Sequence, residues 1–371
     1  MDLSTLELKN YWLPLIWVFA AGAILNMFPK KKELVDGHVK ENWFWFSAVM
    51  MTVPLVIWAG ARMHIGDTSA YRNHYLSAPD SVSELPAYLA VHTKDQGFTV
   101  LMILLKTLGV SEPGKFFMII AALQMLGMIM IFRKYAPNYW ICIFLFVAST
   151  DYFSWMFNGM RQFLATTIIF SASGLLFRRK MLQYCLVVLL AAQIHGSALL
   201  MIPLAYVMQG SLMNRKTLLL ILVTVLLMPI ADGLTPILTD LLADTQYNDI
   251  TTNEIWIKDD GTNLIRVLVY SVPALIALLG RRYLAGSADR VMNICINGAL
   301  ITMALYLISA VTSGIYVGRL PIYTTFYGYM ALPWILDQIF EKQTCRLILV
   351  LMVGFYTAFY YYQMGATWGL L

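Results

Sequence analysis

The chain has 371 residues, of which 59% are hydrophobic and only 13% are charged, and its mean hydropathy is +0.67. Soluble domains carry about 25% charged residues, so this composition excludes a soluble protein and predicts an integral membrane protein. The net charge of +5 therefore reports on loop orientation rather than on nucleic-acid binding. The four cysteines show no paired spacing, which argues against a disulfide framework and against a zinc site.

About ten apolar segments have the length and composition predicted for membrane-spanning helices. In chain order they lie near Tyr11–Phe28, Trp43–Ala61, Lys115–Phe132, Asn138–Thr150, Gln162–Phe177, Thr217–Thr235, Asn263–Gly280, Val291–Thr312, Ile315–Phe340 and Arg346–Tyr362. A further stretch, Met181–Met213, is too long for one helix and is interrupted at His195-Gly196-Ser197. It predicts a short re-entrant helical hairpin with His195 near the outer interface.

The apolar stretch Gly97–Val110 is too short to span, because a helix of this length covers roughly 21 Å of a hydrocarbon core about 30 Å thick. It also carries Lys106, and we predict an amphipathic helix at the outer surface. Six basic clusters lie in short loops: Lys30-Lys31-Lys32 with Lys40, Arg133-Lys134, Arg178-Arg179-Lys180, Arg215-Lys216, Arg281-Arg282 with Arg290, and Lys342 with Arg346. All six can be cytoplasmic only if the N-terminus and two outer loops, near 62–114 and 236–262, lie outside. The architecture predicted is all-α, with one integral membrane domain over 1–371.

Polar groups at membrane depth are costly, so they are the first candidates for a functional site. Arg161 begins a span at its outer end, with Asn158 and Gln162 as nearby hydrogen-bond donors. The alternative is that Arg161 reaches lipid headgroups. Arg319 is expected about one and a half turns inside its span, too deep for that explanation. Arg266, one turn into its span, fits either interpretation equally well.

Two residues are candidates for a general base. His195 lies where an apolar stretch is broken by small residues, and imidazole exchanges protons near neutral pH. A satisfied structural histidine is the alternative. Asp67 follows an outward-going span, where it is either a base or a cap for a helix over Thr68–Tyr75. The residues alone leave the choice of base open.

The sequence lacks several common catalytic and metal-binding motifs, and their absence limits the reactions that the protein could catalyse. The sequence contains no DxD, HExxH, P-loop, GxSxG or metal-spaced His/Cys cluster. We therefore expect no metal, no cofactor and no soluble nucleotide-sugar or ATP site. Arginine stays charged and binds phosphate oxygens in a bidentate manner. Arginines at the outer end of a helical bundle point to a lipid-linked phosphate or pyrophosphate.

Four short motifs, spaced along most of the chain, resemble the EpsG family of bacterial polysaccharide polymerases, which is related to Wzy-type O-antigen polymerases. They are Arg62-x3-Gly66-Asp67-x3-Tyr71, Asn158-x2-Arg161-Gln162-x2-Ala165, Ala192-x2-His195-x-Ser197-Ala198 and Tyr316-x2-Arg319-x3-Tyr323. The resemblance implies a metal-independent membrane glycosyltransferase of GT-C-like architecture. It also implies a site on the outer face of the bacterial cytoplasmic membrane and a polyprenyl-linked donor.

This resemblance implies an exopolysaccharide or O-antigen polymerase that transfers a growing glycan from undecaprenyl pyrophosphate to the terminal sugar of a lipid-linked repeat. Arg161, Arg319 and Arg266 are the candidates for binding pyrophosphate. Residues expected to contact the sugars by stacking are Tyr71, Tyr316 and Tyr323. The expected partners are the lipid-linked oligosaccharide, the bilayer and a chain-length regulator, but no nucleic acid.

Three other functions remain open at this point. An O-antigen-ligase-like or protein glycosyltransferase would use the same chemistry with another acceptor. A lipid-linked oligosaccharide flippase or transporter would predict inverted repeats, and the sequence shows none. A membrane acyltransferase would need access for an acyl donor from the cytoplasm or through the membrane.

Overall fold

The structure is a computed structural model that describes residues 10–62, 65–230, 261–286 and 289–370. Most of the predicted outer loop near 236–262, up to residue 260, lies outside the described residues. Within the described ranges the fold is mainly helical. The helices, numbered here in chain order, are α1 (Trp12–Leu25), α2 (Trp45–Gly60), α3 (Thr68–Ser77), α4 (Leu85–Val91), α5 (Gln96–Thr107), α6 (Pro113–Tyr135), α7 (Tyr139–Ala148), α8 (Met160–Ser171), α9 (Ser173–Phe177), α10 (Met181–Ile194), α11 (Met201–Met208), α12 (Arg215–Leu227), α13 (Leu264–Leu279), α14 (Arg281–Leu284), α15 (Arg290–Ala310), α16 (Ile322–Ile339) and α17 (Lys342–Ala366).

Several helices are apolar enough to lie in a membrane. Among the described residues, α6, α15 and α17 are each long and apolar enough to cross one. A fourth span forms if α7 and the following π-helical turn, Tyr152–Asn158, cross together despite a 70° bend. Shorter apolar helices of 10–17 residues include α1, α2, α10 and α13. These lengths and compositions are those of a helical membrane protein.

A two-stranded sheet corrects the prediction of an all-α chain. Strand β1 (Lys31–Val35) pairs antiparallel with β2 (His38–Asn42). Asp36 and Gly37, which connect them, have φ angles of 49° and 88°. Two-residue hairpin turns require such left-handed backbone, and Asp-Gly is one of the sequences that adopt it most readily. The prediction treated this segment only as a cluster of lysines, and it ignored the turn signal at its centre.

The predicted break in Met181–Met213 is confirmed. Helix α10 ends at Ile194, and His195 has extended backbone with φ −157° and ψ 119°. A 3₁₀ turn, Gly196–Leu200, then leads into α11. The imidazole is therefore carried by a non-helical residue between two helical segments.

The described chain forms two compact units, one of Met1–Leu199 with Leu347–Leu371 and the other of Leu200–Arg346. In the first, α6 packs against α2 and α8, and α10 packs against α5 and α8. In the second, α15 packs against α12, α13 and α16. Aromatic side chains of α3, α5 and α6 fill a buried cluster in the first unit, close to the candidate site.

Candidate functional site

Arg62 fixes the chain where α2 ends. Its guanidinium is buried, donates to the carbonyl of Met156 and lies 3.3 Å from the sulfur of Met160. The ring of Phe117 lies 4.0 Å below it. Burial lowers the pKa of Arg62 to about 10, so the side chain is still charged at neutral pH. Arg62 therefore ties the first motif to the turn that precedes Arg161.

Gly66 brings the first two motifs into contact. It has φ +55°, and a Cβ atom built on it would lie 3.0 Å from the amide oxygen of Asn158. Glycine meets both requirements at this position, since it accepts left-handed backbone and leaves room for a close neighbour.

We expect Gly66→Ala to impair the polymerase activity that the sequence resemblance implies, because the added methyl group presses on Asn158 beside the site. The matched control is Gly109→Ala, since Gly109 has φ +89° and nothing within 4 Å of the position of its Cβ. Both variants should lose about 1–2 kcal/mol of stability from left-handed alanine. Thermal unfolding and glycan length, measured on both, separate the two effects. Equal glycan lengths in the two variants would show that contact with Asn158 does not matter.

Asp67 occupies the N-cap position of α3, yet its side chain makes no capping hydrogen bond. It lines a pocket of about 200 Å³ in the first unit instead. Among the described residues, the lining is formed by Asp67, Ala70, Tyr71, His74, Phe98 and Arg161. Burial, followed by the nearby charges of Arg161 and His92, lowers the pKa of His74, so His74 is neutral at pH 7. The pocket thus combines a carboxylate, a guanidinium and aromatic rings.

Asp95, which the sequence analysis did not single out, joins Arg161 to His195. Its side chain is only 3% exposed, and its Oδ2 lies 2.9 Å from Arg161 Nη1 and 3.3 Å from His195 Nδ1. Burial by itself raises the pKa of Asp95. The hydrogen bond and charge of His195, with the charges of Arg161 and Lys94, outweigh burial and lower that pKa below its ordinary value. The carboxylate is therefore ionised at neutral pH.

Close packing of α5 on the end of α10 places Asp95 beside His195. A Cβ atom on Gly97, in the first turn of α5, would lie 2.7 Å from the carbonyl oxygen of Gln193. The absence of a side chain at Gly97 lets the two backbones approach. Asp95 precedes α5 with φ +51°, and His195 directly follows α10. The two residues thus meet at one corner of the first unit.

Most candidates of the first unit lie together. Arg161 Cζ is 5.9 Å from the centre of the Tyr71 ring, and both residues line the pocket. Gln162 Nε2 lies 3.5 Å from Ser197 Oγ, which links the second motif to the third. The first three motifs therefore form one site, even though they are far apart in sequence.

The fourth motif lies in the second unit, and its helix begins later than predicted. Helix α16 starts at Ile322, so Arg319 lies in a 3₁₀ turn before it rather than inside an α-helix. Pro321 occupies the N-cap, and a Cβ on Gly318 would lie 2.6 Å from Thr262 Oγ1. The predicted start of this helix near Ile315 was therefore wrong, because a 3₁₀ turn precedes it.

The other candidates of the second unit are Arg266, Tyr316 and Tyr323, and they differ in position and burial. Arg266 lies in the first turn of α13, with its Cζ 5.5 Å from the centre of the Tyr270 ring. Tyr316 is half-buried, whereas Tyr323 in α16 is only 3% exposed. In the described ranges, no group of three His, Cys, Asp or Glu side chains is placed to hold a metal ion.

Comparison with known proteins adds one finding to this geometry. Residues 44–367 match the family described as the EpsG family. No curated protein and no solved structure matches. The matched range includes all four motifs, from Arg62 to Tyr323.

Proposed function

The chain belongs to the EpsG family, and from this premise we propose that it is a polysaccharide polymerase. It is a multi-pass membrane protein of polysaccharide biosynthesis, as its family and its apolar helices show. In the proposed reaction, a growing glycan moves from undecaprenyl pyrophosphate to the terminal sugar of an incoming lipid-linked repeat. The reaction takes place at the outer face of the bacterial cytoplasmic membrane.

The pocket beside the Asp95 ion pair is the observation that carries this proposal. An acceptor hydroxyl attacks the anomeric carbon of the donor sugar, and a new C–O bond forms. The bond from that carbon to the pyrophosphate oxygen breaks, and this oxygen keeps the electron pair. A base takes the hydroxyl proton, and the two candidates are Asp67, which lines the pocket, and His195, which shares Asp95 with the pocket residue Arg161. Tyr71, which is half-buried in the pocket wall, offers an aromatic ring for a sugar.

Fixed cations support the departure of pyrophosphate, because they stabilise charge as it develops on the leaving oxygen. Arg161 is proposed for this role because its guanidinium lines the pocket and is 35% exposed despite its ion pair. Arg319 and Arg266, in the second unit, are proposed as further cations. Their support is chemical, since arginine stays charged and matches phosphate geometry.

Deleting the gene in the host strain tests the function. We expect cells without the protein to carry single repeats, and cells complemented with the wild-type chain to regain a ladder of long glycans. Electrophoresis of the extracted glycan measures both. If the deleted strain made long chains at the wild-type level, the polymerase assignment would be wrong.

Polymerisation should continue in EDTA, because the sequence contains none of the usual metal-binding motifs. The measurement is elongation of lipid-linked repeats by purified protein in detergent, with and without the chelator. A stop in EDTA that manganese or magnesium reverses would reveal a metal requirement that the sequence does not show.

The proposed orientation predicts which positions can be labelled from outside intact cells. We expect Ser83→Cys, in the first outer loop, to react with an impermeant maleimide. Lys32→Cys, in the β1–β2 hairpin, should react only after permeabilisation. The native residues at both positions are exposed in the structure. The four native cysteines are first replaced. The reverse labelling pattern would show that the proposed topology is inverted.

A further inference from the structure

We infer that Asp95 is a positioning residue that holds His195 in the tautomer whose Nε2 takes the proton of the acceptor hydroxyl. This inference rests on the proposed function and decides between the two candidate bases. It starts from a carboxylate that no motif of the sequence pointed to.

The identity of the two contacting atoms fixes the tautomer. Asp95 Oδ2 lies 3.3 Å from His195 Nδ1. An ionised carboxylate only accepts hydrogen bonds, so Nδ1 must carry the hydrogen. In a neutral imidazole the other nitrogen, Nε2, then has a free lone pair. Nε2 has no hydrogen-bond partner among the residues that the structure describes, and the side chain remains 20% exposed. His195 is thus prepared to accept a proton at Nε2.

Asp95 is itself held in place from several sides. The same Oδ2 accepts from Arg161 Nη1 at 2.9 Å, so one oxygen contacts both partners. The backbone of Asp95 is fixed at the start of α5, where the amides of Phe98 and Thr99 donate to its carbonyl at 3.0 and 3.3 Å. Burial excludes water that would otherwise compete for the carboxylate. These contacts leave His195 little freedom to turn its ring over.

The proton and the bonds balance in this arrangement. The acceptor oxygen forms its bond to the anomeric carbon, and its proton passes to His195 Nε2, which becomes an imidazolium. Asp95 stabilises that positive charge, and the lipid pyrophosphate departs with the electrons of the broken C–O bond. Asp67 then serves as a hydrogen-bond acceptor for the sugar in the pocket, beside Tyr71.

Nitrogen NMR on purified protein tests the tautomer without any activity assay. The chain has five histidines, so ¹⁵N-histidine labelling gives few signals, and the His195→Gln variant identifies the one of interest. At a pH where His195 is neutral, we expect a protonated Nδ1 and an unprotonated Nε2. Asp95→Asn should reverse this or mix the two forms, because an amide can also donate to Nδ1. A protonated Nε2 in the neutral wild-type ring would overturn the inference, whether or not Asp95→Asn folds.

Kinetics give a second readout on the same variants. We expect Asp95→Asn to lower kcat about a hundredfold or more with little change in KM, as loss of an imidazole-orienting carboxylate does elsewhere. Asp95→Glu, which keeps the charge, should recover part of the loss. Asp80→Asn is the matched control, since Asp80 pairs with Lys106 at 2.8 Å and is 88% exposed.

The kinetic outcomes are distinct. Wild-type kcat in folded Asp95→Asn would overturn the positioning role. Equal losses in Asp95→Asn and Asp80→Asn would also overturn it, because they would reflect general destabilisation. Absence of polymerisation by the wild-type protein would instead sink the proposed function, while the NMR result on the tautomer would stand.

Discussion

Cells that carry Arg161→Ala are expected to accumulate single, unpolymerised repeats. The substitution removes a cation from the pocket wall and leaves the buried carboxylate of Asp95 with one partner fewer. Loss of one preorganised group that stabilises developing charge costs about a hundredfold or more in rate. Arg161→Lys should also be severely impaired, because a single ammonium cannot reproduce the planar guanidinium. Electrophoresis of the extracted glycan, at matched protein levels, measures both variants.

A second arginine–aspartate pair provides the control. Arg178 Nε lies 2.8 Å from Asp36 Oδ1 in the β1–β2 hairpin, and the two side chains are 45% and 30% exposed, whereas Asp95 is only 3% exposed. Such a surface pair is worth about 0–1 kcal/mol, so Arg178→Ala should polymerise normally. Wild-type chain lengths in Arg161→Ala at normal expression would remove Arg161 from the proposed site.

Arg319→Ala is expected to cause a loss of similar size if Arg319 binds the donor pyrophosphate. The residue lies in a turn ahead of α16, where a guanidinium can be presented without the constraint of helical backbone. Arg319→Lys keeps the charge but loses the planar fork, so it should remain impaired if binding is bidentate. Glycan length and the KM for the lipid-linked donor are the quantities to measure.

Arg290→Ala is the control within the second unit, because Arg290 is an exposed arginine at the start of α15. It changes the net charge by the same amount in a cluster predicted to be cytoplasmic. Polymerisation by Arg319→Ala at the level of Arg290→Ala would show that Arg319 is not needed for pyrophosphate binding.

The sequence predicted where several apolar helices lie and where the stretch Met181–Met213 is broken, because both depend on local composition. Helix α15, for instance, covers Arg290–Ala310 where Val291–Thr312 was expected. Asp95 was missed because its partners lie far along the chain, His195 being 100 residues away. Packing of α5 on α10 brings Asp95 and His195 together, and the hydrophobic periodicity of the sequence does not predict this packing. Gly97 permits the close approach of the two helices. The signal available in the sequence was Asp95 itself, an acid directly ahead of the predicted amphipathic helix.

Two predictions were wrong for a different reason: the β-hairpin was missed, and helix α16 was predicted to begin too early. In both cases the sequence contained a turn signal, but the prediction relied on charge or hydropathy instead. The Asp36-Gly37 sequence predicts a β-hairpin turn, but the lysines around it were interpreted only as a basic cluster. Apolar residues near Ile315 extended the predicted span, although Pro321 already indicated where the helix begins. Hydropathy reports burial in lipid or protein, but it does not report whether the backbone is helical.

Reconstitution of the purified chain into liposomes with lipid-linked repeats tests the central claim most directly. The protein is predicted to join repeats into multi-repeat glycans and to release undecaprenyl pyrophosphate, while His195→Gln in the same membranes forms no glycosidic bonds. Transfer of intact single repeats across the bilayer by the wild-type chain, without any bond formation, would contradict the polymerase assignment and identify a transporter.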